Sequence, residues 1–144
     1  MLIAGDHLLA HISSNPLVSR PLGDSPHGGR PRALIDYMNS LRATREMPVA
    51  LVLSGHGDPI TDHVNLIDER FQMHERRAAK LLQMLTPAPL TAYELATRMW
   101  GNVAVTQAYL TISEVLGHMD LLVAGGQVIE RDDGAVSRFQ ATAA

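Results

Sequence analysis

The sequence predicts a mixed α/β (α+β) chain in which two short strands alternate with helices, followed by a small helical module closed by a β-hairpin. Three observations carry this. Apolar runs at residues 2–4 and 49–53 each stop at a glycine-containing turn, as strands entering a loop do. Amphipathic stretches with helical spacing separate and follow them. Near the C-terminus two alternating stretches flank Asp132-Asp133-Gly134, a hairpin signal.

Residues 2–4 are closed by Gly5 and Asp6, consistent with a strand end but too short to establish one alone. Residues 11–32 are rich in proline, glycine and serine and lack periodicity, which predicts a long surface loop. Pro31 then stands where a first helical turn tolerates it. Leu34, Tyr37, Met38 and Leu41 share one face of a helix reaching about Arg45, with Arg42 and Arg45 on the other. Residues 49–53 read as a buried strand that runs into the turn SGHGDP, so His56 stands at a strand end. A helix over about 65–85 carries a stripe that includes Ile67, Phe71, His74, Leu81 and Leu85, and is long enough to bridge two modules. Thr86-Pro87-Ala88-Pro89 ends it and marks the boundary. Thr91 and Glu94 then have capping-box spacing, opening a helix that Gly101-Asn102 stops after Trp100. A further helix over about 105–124 runs to Gly125-Gly126, and the hairpin follows. The predicted division is 1–64, a connecting helix 65–86, and 87–144.

Composition narrows the function classes. With 12 basic and 15 acidic side chains the net charge is −3, which gives no general attraction to nucleic acid or an anionic membrane. No run approaches the roughly 20 apolar residues that span a bilayer, and the N-terminus lacks the pattern of a signal peptide. There is no cysteine, so a metal must be held by His, Asp, Glu or water. The expectation is a cytoplasmic protein.

Two small motifs hold the chemistry: GDH at residues 5–7 and SGHGDP at residues 54–59. Each mounts a potential ligand at a strand end, where geometry is rigid, beside a glycine that lets the backbone turn. Alone, a Gly-Asp turn is mostly just a turn. A histidine between two glycines is less ordinary. Together, GDH, a Pro-rich loop, RPRALIDYMNSL, VALVLSGHGDPI and HERRAAKLLQML resemble the C-terminal half of metallo-β-lactamase-fold hydrolases. TAYELATRMWG and QAYLTISEVLGHMDLLVAGGQV are similar to the winged-helix-like domain that ends one subgroup of them. The resemblance therefore implies half of an αββα sandwich followed by such a domain. It implies that Asp6 bridges two metal ions, usually zinc, and that His56 ligates the second. The reaction implied is hydrolysis of an ester, thioester, lactam or phosphodiester in a small-molecule substrate by metal-bound hydroxide.

The chain departs from that family in one respect. The HxHxDH motif and a further histidine, which supply most ligands, are absent, and His7, His11, His27, His56 and His63 show no such grouping. Two ligands bind zinc weakly, since a catalytic site normally has three protein ligands and a water. A truncated gene product, a mis-called start or half of a split protein, completed by a missing N-terminal half or by a homo-oligomer, is the expectation.

Other residues have weaker claims. His7 is either a group lining the pocket or a turn histidine. Arg30 and Arg32 either meet an anionic substrate or are solvated or salt-bridged, the second being commoner. His63 reads as a capping or surface residue, His74 and His118 as structural, and Trp100 as a core anchor. A winged-helix shape invites DNA binding, but residues 105–124 hold no Arg or Lys and are expected to expose Glu114 and Asp120; only Arg131 and Arg138 mark the wing. A sequence-specific nucleic-acid reader is not expected. The alternative to the hydrolase is a non-catalytic interaction or dimerisation module built on residues 87–144.

Overall fold

In a computed structural model the structure describes residues 1–19, 30–132 and 134–142. His27 and Asp133 lie outside the described residues, as does part of the predicted 11–32 loop. Strand β1 (Leu2–Gly5) pairs in parallel with β2 (Val52–Ser54). Between them runs helix α1 (Ala33–Arg45), and after them α2 (His63–Leu85). One face of this pair is covered: Leu2 and Ala4 pack with Val52 against Leu41 and Ile67. The other is open, and Ile3 is 78% exposed. Alternate residues of β1 are therefore partly covered and exposed, as the pleat requires.

Helix α2 starts at His63, two residues before the predicted start, because the Asp62 carboxylate accepts from the Asn65 amide at 3.0 Å. Of the capping or surface role read for His63, the surface one does not hold: it is the first residue of the helix and is buried. Ile67 near the N-terminal end of α2 belongs to the core around Leu8, Leu41, Val52 and Ile60, while Leu81 and Leu85 belong to a second core. Arg45 makes a fork-to-fork pair with Asp68, at 2.7 and 3.0 Å, which ties α1 to α2.

The second core is built by α3 (Ala92–Trp100), α4 (Val103–Thr106), α5 (Ala108–Ala124) and a three-stranded antiparallel sheet. The capping box is present: the Glu94 amide donates to Thr91 Oγ1, and the Thr91 amide donates to Glu94 Oε2 at 2.7 Å. The single helix predicted over 105–124 is instead two, broken at Gln107, whose φ and ψ of −124° and 40° lie outside the helical region. Strands β4 (Val128–Asp132) and β5 (Ser137–Ala141) form the hairpin. Nothing in the sequence announces β3 (Leu90–Thr91), two residues that pair with Phe139 and Arg138 to make the sheet order β3-β5-β4.

Helix α5 lies among α1, α2 and α3, so its acidic residues face protein. This corrects the expectation that Glu114 and Asp120 are exposed: their side chains are 11% and 6% exposed and are paired with Arg77 and Arg30. Where α5 meets α1, a β-carbon on Gly117 would stand 2.9 Å from Leu34 Cβ. Gly117→Ala should therefore force the helices apart and cost roughly 1–3 kcal/mol. A urea midpoint equal to that of the unsubstituted chain would contradict this close packing.

The α2–α5 junction also makes stability depend on pH. Burial, then the His118 ring and the Arg77 and Arg70 charges, holds His74 down at about 4. Burial lowers His118 as well. A histidine whose folded pKa lies below its unfolded value of 6.5 takes up fewer protons when folded. Stability is then lost as pH falls from about 6.5 toward about 4, by roughly 2–3 kcal/mol from His74, and levels off below. Urea titrations of the metal-free chain across that range should show the loss, and His74→Gln should flatten it.

Candidate metal centre

Because β1 and β2 are parallel neighbours, their C-terminal ends open on the same side, with Gly5 opposite Ser54. Gly5, at φ +54°, turns the chain immediately before Asp6. Residues 54–59 make an excursion closed at its base by reciprocal Val52–Ile60 backbone hydrogen bonds of 2.8 and 2.9 Å. His56 stands on this excursion, next to Gly57 at φ +90°. The outcome is that Asp6 Oδ1 and His56 Nε2 lie 3.4 Å apart, both largely exposed. Two ligands about 2.0–2.2 Å from one tetrahedral ion have nearly that separation.

Gly55 keeps the space for this carboxylate. A β-carbon there would stand 2.6 Å from Asp6 Oδ1 and 3.2 Å from the Gly5 carbonyl carbon. The loop after Asp6 is clamped on several sides. Ser14 donates to the Asp6 carbonyl, Tyr37 to that of His7 at 3.0 Å, and Ser54 to that of Leu8 at 2.6 Å. Arg70 donates to the Leu9 and Ala10 carbonyls at 3.2 and 3.1 Å. A carboxylate and an imidazole on such supports fit a metal ion of the zinc class, with positions left for ligands from elsewhere.

The other predicted residues fall differently. His7 is half-buried, with Nε2 2.9 Å from Thr44 Oγ1 and its ring edge-on to Tyr37, and burial pulls its pKa down. It supports the loop beneath Asp6. Arg30 is committed to Glu130 at 2.8 Å and Asp120 at 2.6 Å, with its guanidinium 5.9 Å from the Phe139 ring centre. Both of its Nη groups thus brace α5 and β4, the salt-bridged alternative of the two the sequence left open. Arg32 is exposed, and its carbonyl accepts from the Asp36 amide. Sequence reasoning missed a second pair at the same turn: His11 Nε2 lies 2.8 Å from Asp58 Oδ2, 47 positions away in the chain and with no spacing signal. It also missed that His74, Glu114 and His118 come together at the α2–α5 junction. The only hint was the four-residue spacing of Glu114 and His118.

No family model matches the chain. Over 140 residues it is 37% identical to the probable metallo-hydrolase YqjP of Bacillus subtilis (strain 168), covering 96% of this chain and 43% of that protein. A crystal structure of a metallo-β-lactamase family protein from Thermus thermophilus superposes with a TM-score of 0.76 at 26% identity, over 97% of this chain and 41% of that one. A β-lactamase domain protein from Burkholderia ambifaria does so with a TM-score of 0.79, also at 26% identity and over the same shares. The chain thus spans less than half the length of these relatives. With Asp6 and His56 set at adjacent parallel strand ends, and with this likeness running through nearly all of its residues, the chain shares the metallo-β-lactamase fold of these proteins.

Proposed function

We propose that this chain supplies Asp6 and His56 to the metal centre of a zinc-dependent hydrolase acting on a small-molecule ester, thioester, lactam or phosphodiester. The 3.4 Å approach of Asp6 Oδ1 to His56 Nε2 carries this reading. Bound zinc supplies acidified water at neutral pH and polarises the bond to be cleaved. Asp6 offers a second carboxylate oxygen, so it can bridge two ions; His56 offers one nitrogen. Gly55 leaves room for the Asp6 carboxylate and the clamped loop fixes the backbone that carries it, which lowers the ordering cost of binding. HxHxDH is not among these 144 residues, so the remaining ligands would come from residues outside them, in the same polypeptide or in a second one. Residues 1–64 then act as the metal-facing unit, 65–86 as the connecting helix, and 87–144 as a winged-helix-like packing element. Among the described residues no helix is long and apolar enough to cross a membrane, and the absence of cysteine suits a cytoplasmic setting.

The experiment is a chimera in which this chain replaces the matched part of the B. subtilis relative. It should bind zinc and hydrolyse at least one member of a panel of thioester, lactone and phosphodiester substrates. Metal-free, inactive but folded chimera would overturn the reading. Gly55→Ala in the same chimera should lower zinc affinity roughly 10- to 100-fold by displacing Asp6, the range found when support of a ligand is lost. Unaltered affinity would mean that Asp6 is not held there.

A second reading has one observation in its favour. Val103, Val105, Tyr109 and Leu110 are 47%, 61%, 59% and 41% exposed along α4 and the start of α5, an apolar surface suited to protein contact. Under it the chain self-associates, and Val105→Asp shifts sedimentation toward monomer. Helix α5 has no Lys or Arg, which argues against base reading.

A further inference from the structure

We infer that His74, Glu114 and His118 form a second, buried site for a divalent ion of the zinc class, set between α2 and α5 and separate from Asp6 and His56. One ligand atom from each residue lies within 4.8 Å of the others. His74 and His118 are 2% and 0% exposed, and the Glu114 side chain 11%. Glu114 and His118 are four residues apart, so they project from one face of α5, and His74 meets them from α2.

Ring chemistry supports the site. His118 Nδ1 lies 2.7 Å from the Glu114 carbonyl oxygen, which can only accept, so Nδ1 carries the proton and Nε2 presents a lone pair. A ligating histidine is commonly fixed by such a bond from its other nitrogen. His74 Nδ1 stands 3.2 Å from that lone pair, close to the separation of two nitrogens sharing a tetrahedral ion. The hydrogen bond between the rings does not complete the cluster, because the buried Nε2 of His74 has no partner. His74 therefore carries its proton on Nδ1, shared with His118, and an ion taken at Nδ1 shifts that proton to Nε2, where no partner competes with it. Arg77 donates to Oε1 of Glu114, which orients the carboxylate and leaves Oε2 for an ion. Two imidazoles, one carboxylate and a fourth position make a donor set that zinc accepts. An ion there joins α2, which enters both cores, to the central helix of the second.

The test uses the full 144-residue chain carrying Asp6→Ala and His56→Ala, stripped with chelator and titrated with zinc and with cobalt. One ion per chain should bind, and zinc at about 100 times its Kd should raise Tm by roughly 5–10 °C. Cobalt should show the intense visible bands of four-coordinate geometry. His118→Gln, His74→Gln and Glu114→Gln should each weaken binding by at least about tenfold and abolish those bands. Glu114→Gln keeps the histidine pair and preserves the test if a histidine variant fails to fold. No bound ion, or binding unchanged in Glu114→Gln, would overturn the proposal.

Discussion

Asp6→Ala in the chimera with the B. subtilis relative is expected to lower kcat/KM by more than about 100-fold, beyond the 10- to 100-fold that losing an outer-shell partner costs. The reason is the double use of one side chain. Asp6 sits at the end of β1 with His56 3.4 Å away, and its two oxygens give one residue the means to reach two ions. His56→Ala removes one nitrogen from one ion and should cost less. The ordering of the two variants is therefore as informative as their size. Steady-state kinetics at saturating zinc, with metal content measured on the same samples, gives both. Equal activity in Asp6→Ala and the unsubstituted chimera would remove Asp6 from the site.

Phe139→Ala should destabilise the chain by about 3–5 kcal/mol, a large part of the roughly 5–15 kcal/mol that holds a domain together. Phe139 is wholly buried, stands opposite Leu90 across β3 and β5, and packs in the core of Leu81, Leu95, Val115 and Met119. Its ring also lies under the Arg30 guanidinium. Removing it opens a cavity where helices and sheet meet, and takes away the support of the Arg30–Asp120 pair. Burial already pushes the Asp120 carboxyl up, against the pull of Arg30. Thermal melts should shift down by roughly 10 °C or more. A loss under about 1 kcal/mol would mean that the hairpin does not close this core.

Much of the fold could be read from local signals. The Thr91–Glu94 box, the stop at Gly101 and the hairpin around Gly134 are each set by a few neighbouring residues, and each is present. What escaped depends on distant partners. Leu90–Thr91 is a strand only because Phe139 and Arg138 lie beside it. Glu114 and Asp120 look solvated in the sequence because nothing near them announces Arg77 or Arg30, 37 and 90 residues away. The same contrast divides the candidate metal ligands. Asp6 and His56 are legible because glycine turns mark strand ends, whereas His74 and His118 read as separate structural residues. Their pairing exists only once α2 and α5 have packed.

Asp6 and His56 are proposed to ligate a common metal centre completed by residues outside this chain. Diffraction from crystals of the chimera at the zinc absorption edge tests it most directly. An anomalous peak is expected about 2.0–2.2 Å from both an Asp6 carboxylate oxygen and His56 Nε2. A fully loaded, active chimera whose anomalous peaks touch neither residue would contradict it.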